Sequence, residues 1–213
     1  MKTPWDNVSR FEEIIAEYTG SKYAVATDSC TNAIFLCLNY FKPDRRYIFQ
    51  PVEVPKHTYL SVPMMVRHAD YGLKFVDKKW HGMYELSPYP IYDSATRFTE
   101  GMYINHDHFQ CISFHYKKYI PIGRGGMILT DDKQAVKWLK QARYDGRSSI
   151  SFNDMTDVSV CGWHMFMTPE QAARGMELFY RLPKQNDNLA TWKDYPDVSQ
   201  FTCFKNGIDL PSE

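Results

Sequence analysis

The sequence carries no net charge: 25 Lys plus Arg stand against 25 Asp plus Glu in 213 residues. With a pI near 7.0 it lacks the basic footprint of a nucleic-acid binder. It also lacks any run of about 18 apolar residues, so no membrane-spanning helix is expected. The opening Met1-Lys2-Thr3-Pro4-Trp5-Asp6 has no apolar core of a secretory leader. Cysteines are few and odd in number (Cys30, Cys37, Cys111, Cys161, Cys203), with no Cys-x-x-Cys pair. That argues against a disulfide framework or a zinc site and makes free, buried thiols in a reducing cytoplasm the expectation. No internal repeat and no low-complexity tract is visible. What is present is apolar material: 44% hydrophobic and 15% aromatic residues, enough for a sizeable core and against intrinsic disorder. The length favours one domain, or one and a half.

Phe11, Ile14, Ile15 and Tyr18 recur at helix spacing over Arg10 to Tyr18, and Gly20 is a stop signal. Tyr23-Ala24-Val25-Ala26 reads as a short buried strand, followed by the polar turn Thr27-Asp28-Ser29-Cys30-Thr31. A second helix carries Ile34, Cys37, Leu38 and Phe41 on one face and ends at Lys42-Pro43-Asp44. Val52-Glu53-Val54 predicts a strand closed by Pro55, Tyr59 to His68 a helix, and Leu73 to Val76 a strand. This βαβαβ order predicts an α/β fold with a parallel sheet and right-handed crossovers. Lys78 to Pro90 predicts a loop, and Ile91-Tyr92 is a short apolar run ending at Asp93. Phe109 to Phe114 predicts a strand, as does Met127 to Thr130 after Gly125-Gly126. Asp132 opens a helix with Ala135, Val136, Leu139 and Ala142; Thr168 caps another that holds Pro169 and runs to about Leu182. Pro183 to Glu213 shows little periodicity.

Four segments have residues suited to chemistry. Ser29-Cys30-Thr31-Asn32 joins a strand to a helix, where free amides and the dipole suit a phosphate; a plain helix cap fits the same residues. Asp93 ends a strand, and ligands of open α/β sheets sit beyond the strands' carboxyl ends. A carboxylate there can hold a protonated ring nitrogen, or simply serve a turn. Ser113-Phe114-His115-Tyr116-Lys117-Lys118 leaves a strand for a loop ending in Gly123-Arg124-Gly125-Gly126. Adjacent ammonium groups lower each other's pKa and free an amine as nucleophile; a solvated basic loop is the plainer alternative. Tyr59, after Pro55-Lys56-His57-Thr58, can stack on a planar ring or pack in a core. His106-Asp107-His108 offers two histidines without a third ligand nearby, so no metal site is expected.

Further segments fall into the same order. Phe11-Glu12-Glu13 through Gly20 to Tyr23-Ala24-Val25 comes first, then Ser29-Cys30-Thr31-Asn32-Ala33, Val54-Pro55-Lys56-His57-Thr58-Tyr59 and Asp93-Ser94-Ala95. Ser113 to Lys118, Gly123 to Gly126, Arg143-Tyr144-Asp145-Gly146 and Met167-Thr168-Pro169-Glu170-Gln171-Ala172-Ala173 follow. In this order, from residue 11 to about 182, the chain resembles the DegT/DnrJ/EryC1/StrS sugar aminotransferases, a branch of the fold-type I pyridoxal-phosphate enzymes. The resemblance implies a large domain at 1–182, a mostly parallel sheet flanked by helices, with a short remnant at 183–213 in place of the family's small domain. It implies pyridoxal 5′-phosphate as cofactor and a cytoplasmic homodimer. Lys118 would form the Schiff base and shuttle a proton; the Ser-Phe-His register selects it over Lys117. Asp93 would keep the pyridine nitrogen protonated, and Tyr59 would cover a ring face. Backbone amides near Thr31 and Asn32, with the Ser113 hydroxyl, would hold the phosphate. Thr96 stands at the cofactor position where the family usually has Gln or His, and His164 would reach the partner subunit's cofactor. The implied reaction moves an amino group from an amino acid, glutamate, to a nucleotide-linked keto-sugar.

The departures are specific. The family is markedly longer, and Val76 to Ile91 is too short for its usual further strand and helix. Cys30 replaces a phosphate-turn Gly, Arg124 replaces a Glu, and His164-Met165-Phe166-Met167 replaces Asn-Tyr-Arg-Met, where Phe166 cannot substitute for a guanidinium. The cofactor site is thus better kept than the substrate site. Two rivals follow: other sugar chemistry on the same cofactor, such as dehydration, and a non-catalytic scaffold. Dehydrating relatives carry histidine at the lysine position, which Lys118 argues against; Asp93 and Lys118 together argue against the scaffold.

Overall fold

The computed structural model describes residues 3–42, 50–104, 108–147 and 152–205. Helix α1 (Asp6–Thr19) buries Phe11 and Ile15 and stops at Gly20. Gly20 has φ of 85°, the left-handed conformation that returns its amide to the Ala16 carbonyl. Strand β1 (Tyr23–Thr27) leads into α2 (Cys30–Phe41), where the Ser29 hydroxyl accepts from the Asn32 amide. Next come β2 (Val52–Pro55), α3 (Ser61–His68), β3 (Leu73–Val76), β4 (Tyr84–Glu85), β5 (Ile91–Asp93), β6 (Phe109–Ser113) and β7 (Gly126–Thr130). Helix α4 (Lys133–Ala142) is capped by Asp132. Helix α5 (Pro169–Phe179) starts with a capping box between Thr168 and Gln171 and ends before the expected Leu182. Short 3-10 turns then lead to α6 (Thr202–Lys205).

The α/β class holds, but the sheet is mixed, which corrects the expected mostly parallel arrangement. The five-stranded sheet runs β1-β7-β6-β5-β4, and β2 and β3 form a separate parallel pair. Only β5 and β6 pair in parallel within the larger sheet, among the described residues. The cause lies in the connections. The chain reaches β7 from β6, and β5 from β4, through loops that reverse its direction and so give antiparallel neighbours, whereas the longer 94–108 connection brings β6 back parallel to β5 with no helix among its described residues. Strands β1, β5 and β6 nevertheless point the same way, because β7 opposes both of its neighbours. The segment Lys78 to Pro90, expected as loop, contains β4. The α2 terminus expected at Lys42-Pro43-Asp44 lies partly outside the described residues, as do His106 and Asp107.

Successive sheet residues face opposite cores. Val25, Cys111 and Ile128 join α2 and α4 on one side; Ala24, Ala26, Ile112, Met127 and Leu129 meet Phe11, Ile15 and Ala172 on the other. Helices therefore cover both faces. One buried charge ties three elements together: Glu12 of α1 accepts from the Ala26 amide (2.9 Å), from Lys140 (2.8 Å) and from Arg143. All five cysteines are free thiols. Cys161 and Cys203 are exposed, against the expectation of burial, because they lie in segments outside the two cores.

Candidate active site

Because β1, β5 and β6 run in one direction, their carboxyl ends share one edge of the sheet. The chain leaving β1 enters α2, β5 stops at Asp93, and β6 runs into the Ser113–Lys118 loop. These three exits line one cavity of about 580 Å³, within the range of small-molecule and cofactor sites. The first-turn amides of α2 have no carbonyl ahead of them. Gly126 lets β7 pass closely beneath: a Cβ there would lie 2.3 Å from the Cys30 nitrogen.

Asp93 is buried at 6% exposure and lines this cavity. Its Oδ1 accepts from the Ala95 amide (2.9 Å) and its Oδ2 from the Tyr84 hydroxyl (2.6 Å). Burial pushes its pKa up, while the Tyr84 and Ala95 hydrogen bonds and the Lys118 charge pull it down; the net direction is upward. Lys117 and Lys118 both line this cavity, and they differ in burial: Lys118 is half-buried and Lys117 exposed. Burial lowers the Lys118 pKa, Lys117 adds to that, and Asp93 opposes it, leaving the amine below its ordinary value. The Lys117 ammonium lies 5.6 Å from the Tyr116 ring centre.

Of the remaining sequence candidates, Thr31, Tyr59, Thr96 and Ser113 also line the cavity. Thr31 shares a 2.8 Å hydrogen bond with Ser61 at the start of α3. Tyr59 is 58% exposed and unpacked, so it is a cavity wall and not core. The Thr96 hydroxyl already donates to the Gly82 carbonyl (2.9 Å). Two candidates lie elsewhere. The Asn32 side chain turns back to Asp28 (2.7 Å), although its backbone remains in the first turn of α2. His164 is exposed, pairs with Asp145 (3.1 Å) and stands edge-on to Phe166, outside this cavity.

Sequence reasoning missed Tyr84, Trp80 and Tyr195. Tyr84 lies directly across from Asp93 in the β4–β5 register. A two-residue strand has no periodicity to read, so no signal marked it. Tyr195 enters from the segment after α5, in which no pattern was visible. Arg124, at the cavity rim, forms an ion pair with Asp28. His108 is buried and stacks on Tyr103 at 4.8 Å, and among the described residues no group of three or more metal-binding side chains forms. No helix among them is long and apolar enough to cross a membrane.

Comparison with known proteins settles the lineage. The model of the DegT/DnrJ/EryC1/StrS aminotransferase family matches residues 2–107 and 96–195. The chain belongs to that family. A similar curated protein, the spore coat polysaccharide biosynthesis protein SpsC of Bacillus subtilis (strain 168), is 24% identical over 82% of this chain and 57% of its own length. Among solved structures, AtS13 from Actinomadura melliaura superposes with a TM-score of 0.69 at 16% identity, covering 82% of this chain and 59% of that one. Helicobacter pylori PseC, an aminotransferase involved in pseudoaminic acid biosynthesis, gives 0.65 at 16% identity, with 82% and 57% covered. The E. coli GDP-4-keto-6-deoxy-D-mannose-3-dehydratase with bound hydrated PLP gives 0.63 at 18%, with 83% and 60% covered. The fold is that of the fold-type I large domain. This member of the DegT/DnrJ/EryC1/StrS family spans 57% to 60% of the length of these relatives.

Proposed function

We propose that the cavity holds pyridoxal 5′-phosphate and that the protein is an aminotransferase acting on nucleotide-linked keto-sugars, with an amino acid, glutamate, as donor. The observation that carries this reading is the pairing of a half-buried, pKa-lowered Lys118 with a buried Asp93 in one cavity. The residues fit the cofactor group by group. Asp93 is a buried acceptor for a ring N–H, and the α2 N-terminus, whose Asn32 amide is taken by Ser29, brings Cys30 and Thr31 to the same space, where their first-turn amides suit a phosphate. The Ser113 and Thr31 hydroxyls stand at the same end, and Tyr59 offers a free ring face.

Pyridoxal phosphate supplies an electrophilic aldehyde and a conjugated ring that accepts an electron pair from the amino-bearing carbon. The chain's residues do the rest. Lys118, whose partial burial favours the neutral amine, would hold the aldehyde carbon through its side-chain nitrogen and would carry a proton to and from the substrate carbon. Asp93 holds the proton at the ring nitrogen, and its buried position strengthens that charge interaction. Tyr59 orients the ring. Residues 1–182 carry the motif residues of the cofactor site in this reading, the segment around Ala190 to Tyr195 completes the cavity wall, and two copies associate so that His164 meets the partner's cofactor. Its exposure and its position outside its own cavity suit that role. The relatives' sugar chemistry supports the substrate class; Lys118 favours amino transfer over dehydration.

Titrating the protein with pyridoxal phosphate while recording its visible absorption tests the reading. The band of lysine-bound cofactor is expected in wild type and in Lys117→Ala, and is expected to be lost in Lys118→Ala. A wild type without that band contradicts the proposal.

A further inference from the structure

Residues 187–198 run as a strap across the cavity's outer wall. The Leu189 amide donates to the Thr96 carbonyl (2.8 Å), the Trp192 amide to Trp80 (3.1 Å) and the Val198 amide to Lys56 (2.9 Å). The Gly82 amide donates to the Ala190 carbonyl (3.1 Å), and His57 Nδ1 meets the Tyr195 carbonyl at 2.8 Å. The strap is therefore pinned to the segments that carry Tyr59, Tyr84 and Thr96. Its Tyr195 ring leans on Trp80, with centres 5.6 Å apart, and lines the cavity.

The hydroxyls on this wall differ in what they already do. Tyr84 donates to Asp93 and Thr96 donates to Gly82. No hydrogen bond reaches the Tyr195 hydroxyl among the described residues. Its electrostatic neighbours are Asp93, Asp194, Tyr59 and Cys30, three of which form the site around the proposed ring and phosphate positions. Burial, with Asp93 and Asp194 adding to it, pushes the phenol up to about 12, so it keeps its proton at neutral pH and acts as a donor.

We infer that Tyr195 is a cofactor-contacting residue whose hydroxyl donates a hydrogen bond to an anionic oxygen of bound pyridoxal phosphate. The inference rests on the cofactor reading above and adds to it a residue from outside the sequence motifs. Two oxygen sources share this chemistry, the ring oxygen and the phosphate.

The test is the affinity of wild type, Tyr195→Phe and the surface control Tyr180→Phe for pyridoxal phosphate and for pyridoxal, read by visible absorption. Tyr180 is 70% exposed and lies outside the cavity. Tyr195→Phe is expected to bind pyridoxal phosphate about tenfold more weakly with an unchanged melting temperature, as befits one lost hydrogen bond to a charged acceptor. A ring-oxygen contact weakens both ligands; a phosphate contact weakens pyridoxal phosphate alone. Equal affinities of Tyr195→Phe and wild type for both ligands overturn the inference while leaving the cofactor reading intact. Absence of binding in wild type overturns both.

Discussion

Replacing Asp93 with Asn should stabilise the cofactor-free protein and cripple its chemistry. Asp93 is held with its pKa above the ordinary 3.8, chiefly by burial. The folded state therefore binds more protons than the unfolded state once pH exceeds about 4, and stability falls as pH rises through the raised folded value. Asn has no such ionisation and keeps the carbonyl that accepts from Ala95, while the Tyr84 hydroxyl can turn to Thr58, which it already contacts. Relief of that burial cost is expected to appear at pH 7 as a melting temperature above that of wild type. The advantage should vanish below pH ~4. With cofactor bound the sign reverses, because the missing charge no longer holds the ring-nitrogen proton. Loss of one preorganised electrostatic group costs ~3–4 kcal/mol, or ~10²–10³ in kcat, while cofactor affinity falls less. Melting curves at pH 4 and pH 7, and the half-reaction with L-glutamate followed by absorption, read the two effects. A lower melting temperature at pH 7 would show that the Tyr84 and Ala95 bonds outweigh burial. Near-normal turnover would show that another group serves the ring nitrogen.

Glu12→Ala should destabilise the fold by ~3–5 kcal/mol in urea titrations, because Arg143 and Lys140 lose their buried partner. Burial alone would raise the Glu12 pKa, but Arg143, Lys140 and the Ala26 amide together hold it below 4.5. Its contribution is thus present above pH ~4.5 and lost as pH falls through the lowered folded value, so the variant's deficit should shrink in acid; a constant deficit at pH 3 and pH 7 contradicts this. Gly126→Ala places a Cβ against the Cys30 and Ser29 backbone, and should cost ~1–3 kcal/mol and weaken cofactor binding; unchanged stability and affinity would show that the turn gives way freely. Light scattering should return twice the 25.0 kDa chain mass, whereas a monomer that binds cofactor tightly contradicts the shared site.

Much of this was legible in local signals. The apolar spacing of Phe11, Ile14 and Ile15, the Gly20 stop and the Thr168 and Asp132 caps all correspond to elements of the fold. Asp93 at a strand end and Lys118 after β6 were both marked by sequence, and they meet in one cavity because their strands run the same way. Strand pairing was not legible. Alternation shows that both faces of β7 are buried but says nothing of its direction, which depends on a loop return without a helix. Tyr84 and Tyr195 were hidden for a related reason. Each reaches the site from a segment with no period, held there by tertiary hydrogen bonds to Asp93, Lys56 and Trp80 whose partners are distant in sequence.

Reduction of the pyridoxal phosphate complex with borohydride, followed by peptide mass mapping, tests the central claim most directly. The account predicts one stable cofactor adduct per chain, on Lys118 in the peptide that follows β6. An adduct on Lys117, on any other lysine, or none at all contradicts it.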